Sequence, residues 1–211
     1  MKFSDMTYTR PDLEAAKADI SAYTGELKAA GCYEEAKAAF LKLQELYRHL
    51  YTAYTLATVR HTIDTRDTYY DEEARFMAEN MPLLREAQQD FQKALLECPF
   101  RPDFEAEYGT LFLKNMEMEL KTFIPSIVPQ MQRENALTLD YEKLIASAQI
   151  PFEGGVYTLS QLTPFKQDAD DDRRRAAWEA EGRFYLEHGE ELDALYDELV
   201  QVRTRQAREM G

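Results

Sequence analysis

The sequence predicts a mainly α fold: a multi-helix array of long amphipathic helices with one short β-hairpin near 149–160. Three observations predict it. Apolar residues recur at i, i+3, i+4 and i+7 through most of the chain, the rhythm of one buried helix face. Proline and glycine mark where those stretches end, as at Gly31, "CPFRP" and "IPSIVP". Strand-like alternation occurs convincingly in one place, around Gly154 and Gly155.

The elements follow in order. A first helix is expected over 11–30, with Pro11 suited to a first turn and Gly31 a natural stop. A second is expected over 34–62, its buried face carried by Ala36, Ala39, Phe40, Leu43, Leu46, Leu50, Tyr54 and Ala57. A third runs over 67–96 and ends where two prolines interrupt "CPFRP". A fourth covers 102–123. A fifth covers "IVPQMQRENA", 127–136, and resumes after a turn as "DYEKLIASA", 140–148. "QIPFEGGVYTLSQL", 149–162, is the hairpin, with the turn at Gly154-Gly155. Two helices close the chain over 170–188 and 189–210, the second amphipathic through Leu192, Leu195, Tyr196, Leu199 and Val202.

Composition narrows the function. A chain of 211 residues with 45% hydrophobic and 12% aromatic content can bury a core, as one good-sized domain or two small ones. Its formal charge of −14, from 25 basic and 39 acidic residues, argues against nucleic acid or an anionic membrane as partner, since both call for a basic surface. No apolar run approaches the roughly 20 residues of a membrane span, and the start lacks a hydrophobic signal core. Cys32 and Cys98 form neither a disulfide framework nor a zinc knuckle, so two reduced thiols in a cytoplasmic protein are expected.

Few residues suggest chemistry. "ATVRHTIDTRDTYYDEE", 57–73, places His61 three residues before Asp64, one face of a helix, and gathers five acids. A metal there would need more ligands, and only His49 and His188 remain. Capping explains most of the acids. Asp64 or Thr65 ends one helix and Asp67 or Thr68 starts the next, with Asp71, Glu72 and Glu73 at its positive end. In "DADDDRRRAAWE", 168–179, Asp168, Asp170, Asp172 and Glu179 match positions 1, 3, 5 and 12 of a calcium loop. Arg173 stands where that loop requires glycine, and the arginine triplet would repel the cation, so a helix start is the better reading. The triplet could meet a phosphate or carboxylate, but pairing with nearby acids is favoured. Cys98, before Pro99, has no histidine partner that the sequence can identify, and no G-x-S-x-G, P-loop or dinucleotide turn occurs. The hairpin leaves strand edges that an extended peptide could join, although packing on the helices is favoured.

Five segments, in order, carry a resemblance. "YTRPDL", "YTLATVRHTIDTRDTYYDEE", "ALLECPFRPDFE", "LKTFIPSIVPQMQRENALTLDYEKLIASAQIPFEGGVYTLSQLTPF" and "LYDELVQVRTRQAREMG" together resemble the oligoendopeptidase F family, zinc metallopeptidases related to thimet oligopeptidase. The resemblance runs almost end to end. It implies a mostly helical ellipsoid with a deep channel that admits short peptides, of which this chain forms one wall and restricts substrate size. It implies an HExxH helix whose two histidines and a later glutamate bind zinc. This chain has no HExxH; His188 is followed by Gly189. No catalytic, metal or cofactor residue can therefore be carried onto it, and residues 1–211 alone are expected to bind no zinc and cleave nothing.

Gly211, after a basic helical turn, reads as a C-cap where a chain turns and continues. The expectation is an N-terminal helical lobe over 1–148, then a hairpin and two helices over 149–211 that lead toward a catalytic domain outside this chain. Its partners would be short peptides and that domain. The alternative is a free-standing, non-catalytic helical interaction protein derived from the same family.

Overall fold

The computed structural model describes residues 2–211, and the chain is mainly α. The helices are α1 (Leu13–Ala29), α2 (Tyr33–Ile63), α3 (Thr68–Asn80), α4 (Arg85–Glu97), α5 (Arg101–Tyr108), α6 (Thr110–Leu120) and α7 (Val128–Ala146). Strands β1 (Ile150–Phe152) and β2 (Gly155–Tyr157) follow. The short α8 (Leu159–Leu162), α9 (Asp171–Glu187) and α10 (Gly189–Met210) complete the chain.

The main core lies between α1, α2 and α4–α6. Ile20, Leu27, Phe40, Leu43, Phe91, Leu95, Phe104 and Leu113 are buried there. Burying each such side chain stabilises the fold by about 1.5–3 kcal/mol. Phe40 meets Phe104 edge-on at 5.7 Å, the arrangement aromatic quadrupoles favour. The face of α2 changes partner along its length. Its first half packs in this core, while Leu56 and Ala57 pack on Met77 of α3 and Tyr8 of the segment before α1. Tyr54, expected inside, is exposed, and Leu56 and His61 are buried instead.

Two expected helices are each divided. The 67–96 stretch breaks at Pro82, whose 3-10 turn Met81–Leu84 separates α3 from α4. Proline has no N–H to give and its ring crowds the carbonyl four residues back. The 102–123 stretch breaks at Gly109, which ends α5 at φ 88° and ψ 154°, a conformation essentially reserved to glycine. The opposite correction applies to 127–148: α7 is one helix with no intervening turn.

The hairpin turn also differs by one residue. Glu153 and Gly154 form it, both with positive φ (47° and 81°), as a type I′ turn needs, and Gly155 opens β2. The register pairs Ile150 with Tyr157 and Pro151 with Val156. Flanking a two-residue turn, Phe152 and Gly155 form the hydrogen-bonded pair, so the missing N–H of Pro151 is on the outer side. Ile150 and Phe152 point inward to a second apolar cluster with Leu162, Ala177, Ala180 and Phe184. α7 links the two regions, packing on α3 through Leu139, Ala74 and Ala78 and on α10 through ion pairs.

Candidate functional site

The α2–α3 corner is rich in charge, and its residues do different work from what their spacing suggests. His61, 1% exposed, lies in the last turn of α2. Its Nδ1 is 3.6 Å from Asp71 Oδ1, too far for a hydrogen bond, and has no other partner. Asp64 does not join it. Asp64 is the residue after α2, at φ −140°, off the helical face, and accepts from the backbone N–H and guanidinium of Arg66, both at 3.1 Å. Asp67 caps α3 by accepting from the N–H groups of Tyr69 and Tyr70 at 3.0 and 3.3 Å.

Asp71 is the hub of the corner. Lys143 of α7 donates to it at 2.9 Å, and Arg75 lies 3.5 Å away while donating to Asp140 at 2.7 Å. Burial raises the Asp71 carboxyl, but Lys143, Arg75 and His61 outweigh burial and hold it below the usual carboxylate range. Asp140, Lys143 and Arg75 were not legible as partners of the 57–73 stretch. The available signal was the opposite-charge i, i+3 pair of Asp140 and Lys143 on one helix face.

Beside this network is a cleft of about 590 Å³ between the corner, α7 and α10. Leu137, Leu144 and Leu195 form its apolar part. Arg66 and Lys143 stand on one side, and Glu191 and Glu198 come from α10. Arg133 grips Glu198 with two bonds of 2.6 Å. The cleft suits a small amphiphilic or zwitterionic guest. Most of its ionised groups are engaged by an opposite charge.

The calcium-like segment is a helix start. Asp170 caps α9, accepting from Asp172 N–H at 2.9 Å and Arg173 N–H at 3.2 Å. Asp168 accepts from Asp170 N–H and from Arg173, and these bonds hold its carboxyl below the usual range. Asp172 pairs with Arg175 and Asp171 with Arg174. Arg173 reaches back to Glu153 in the hairpin turn, 2.7 Å away, tying β1 and β2 to α9. Glu179 lies exposed on α9.

The remaining histidines and cysteines are scattered. His49 pairs with Glu45 at 2.8 Å, and His188 faces Glu191 at 3.4 Å between α9 and α10. Cys32 and Cys98 are free, and burial pushes the Cys98 thiol up, away from the reactive thiolate. Among the described residues no group of three or more His, Cys, Asp or Glu side chains is placed to hold a metal ion. None of the described residues fits the donor set of a catalytic zinc. Nor is any helix among the described residues long and apolar enough to cross a membrane.

Comparison with known proteins places this geometry. The family described as the peptidase M3 N-terminal domain matches residues 3–123. Three solved structures match the whole chain. A PZ peptidase A with an inhibitor is 40% identical at a TM-score of 0.94. A protein assigned as an oligoendopeptidase F, crystallised by microfluidic seeding, is 41% identical at 0.95. Another so assigned, from Bacillus anthracis str. Ames, is 38% identical at 0.95. The chain spans 37%, 37% and 39% of those three chains. No curated protein matches it.

Proposed function

Since the chain belongs to the M3 peptidase family, we propose that it is the N-terminal portion of an oligoendopeptidase-like zinc metallopeptidase that hydrolyses short peptides. The observation that carries this reading is the end-to-end superposition on PZ peptidase A and two oligoendopeptidase F structures at 38–41% identity. In this reading residues 1–148 form a helical lobe, and 149–211 lead toward the catalytic domain. The chain walls one side of the substrate channel and limits substrates to short, unfolded peptides. The zinc ligands and the general base lie on the family's catalytic domain, outside these residues. The enzyme works in the cytoplasm.

Its contribution is shape and charge. The cleft beside Lys143 and Glu198 offers both signs of charge over leucines, which suits the termini and side chains of a short peptide. The rigid α2–α3–α7 junction, cross-linked through Asp71 and Arg75, keeps that wall fixed.

A chimera tests the reading. Residues 1–211 replace the equivalent segment of the Bacillus anthracis protein, and hydrolysis is followed for peptides of increasing length and for a folded protein. Cleavage of short peptides alone is expected, with residues 1–211 by themselves inert and free of zinc. Stoichiometric zinc in purified 1–211, or cleavage by it that is lost on chelation, would overturn the assignment. So would a folded chimera that cleaves folded protein as fast as short peptide.

A further inference from the structure

α10 is an amphipathic helix whose one apolar face is only partly covered. Val202 is its one fully buried residue, although the helix is 22 residues long. What fastens it to α7 is largely polar. Arg133 grips Glu198, Arg203 and Gln206 both donate to Glu134 at 2.7 and 2.9 Å, and Gln130 donates to Glu209 at 2.8 Å. Surface ion pairs of this kind contribute little each.

Toward its N-terminal half the same face lines an open groove. Leu192, Leu195, Tyr196 and Leu199 line a cavity of about 560 Å³ together with Tyr141 of α7 and Tyr185 of α9. Tyr196 is 72% exposed, Tyr141 46% and Tyr185 41%. The apolar positions recur at i, i+3, i+4 and i+7, the signature of a helix face meant to be covered. Exposed apolar side chains gathered on one helix face are a candidate interaction site.

The length of the solved relatives supplies a candidate occupant. Their chains match all of this one and extend over a further 61–63% of their own length (100 − 39 and 100 − 37). We propose that the groove between α7, α9 and α10 is the seat of an amphipathic apolar segment from that further part of the family chain, with Tyr196 as its central anchor. This rests on the reading of the chain as the N-terminal portion of a larger peptidase. An aromatic side chain that lines an apolar groove is the usual energetic focus of such a contact once it is covered.

The test uses residues 1–211 and, as probe, the remainder of the Bacillus anthracis protein produced as a separate chain. Binding is measured by titration calorimetry and peptide cleavage is assayed on the mixture. A one-to-one complex is expected, weakened at least tenfold by Tyr196→Glu and unchanged by Leu41→Glu, an exposed position on α2 away from the groove. Circular dichroism checks that both variants keep their helix content. If the wild-type chain does not bind the remainder, or Leu41→Glu weakens binding as much as Tyr196→Glu, the proposal fails. Self-association of 1–211 that Tyr196→Glu abolishes, without binding to the remainder, would assign the groove to a second copy and also overturn it. Binding that depends on Tyr196 but yields no cleavage would sink the peptidase reading and leave the docking seat standing. A cleaving complex indifferent to Tyr196→Glu would do the reverse.

Discussion

The Nδ2 of Asn135 on α7 donates to the carbonyl of Ala78, 2.8 Å away, the carbonyl that Pro82 deprives of its helical partner. Gln132, one turn earlier, donates to the carbonyl of Glu79. The break between α3 and α4 is therefore closed by side chains of another helix, and the proline that divides the helix also fixes where α7 must lie. An unpaired partly buried carbonyl would otherwise cost free energy comparable to a lost hydrogen bond.

Asn135→Ala is expected to lower stability by about 1–2 kcal/mol, read from urea unfolding. In a Pro82→Ala background the restored N–H can reach Ala78, and the cost of Asn135→Ala should fall by half or more. Strict additivity of the two substitutions would refute the account.

Glu73 pins the segment before α1. It is buried, and it accepts from Tyr8 at 2.6 Å and from Arg10 at 2.5–3.1 Å, while Arg10 stacks on Phe76 at 4.5 Å. Arg10 holds the Glu73 carboxyl below the usual range, and Tyr8 adds to this against the opposing effect of burial. A depressed folded value means the stabilisation is fully present above the unfolded value, near about 4.3, and is lost as pH falls through the folded one. Glu73→Gln should cost about 2–3 kcal/mol at neutral pH. The gap between wild type and variant should hold down to about pH 4.5 and narrow below it. A gap that widens on acidification would contradict this.

Cys98 offers a chemical readout. Burial pushes its thiol up, so less thiolate is present near neutral pH than on a free cysteine. Alkylation by iodoacetamide at pH 8, followed by peptide mass spectrometry, should run roughly several-fold slower at Cys98 than on free cysteine. Equal or faster labelling would show that the site is open or electropositive.

Local features of the fold are legible in the sequence, and contacts between distant segments are not. The α2–α3 corner and a cap at Asp67 or Thr68, which proves to be Asp67, followed from residue type alone, because a cap needs only its own next turn. The expected end of α2, residue 62, falls one residue short of the observed Ile63. Asp64 shares a helix face with His61 on paper but lies past the last helical residue. Periodic apolar residues on both sides masked Pro82, although the proline was visible. Asp71 and Lys143 are 72 residues apart, and nothing local to either predicts their bond. The covered face of α2 shifted from Tyr54 to Leu56 because a non-helical segment, invisible to periodicity, packs there.

Two glycines should respond with opposite signs to the same substitution. Gly109 holds φ 88° and ψ 154° between α5 and α6, and an added Cβ would meet no other residue within 4 Å. The cost of Gly109→Ala is therefore backbone strain alone, about 1–3 kcal/mol. Gly182 sits inside α9, with equally open space and ordinary helical φ. Gly182→Ala removes freedom from the unfolded chain without strain and should stabilise by about 0.4–1 kcal/mol. At roughly 2–4 °C per kcal/mol for a chain of this size, Gly109→Ala should lower Tm by about 2–12 °C and Gly182→Ala should raise it by about 1–4 °C. Shifts of the same sign in both variants would show that α5 and α6 are free to merge or that α9 is not helical at Gly182.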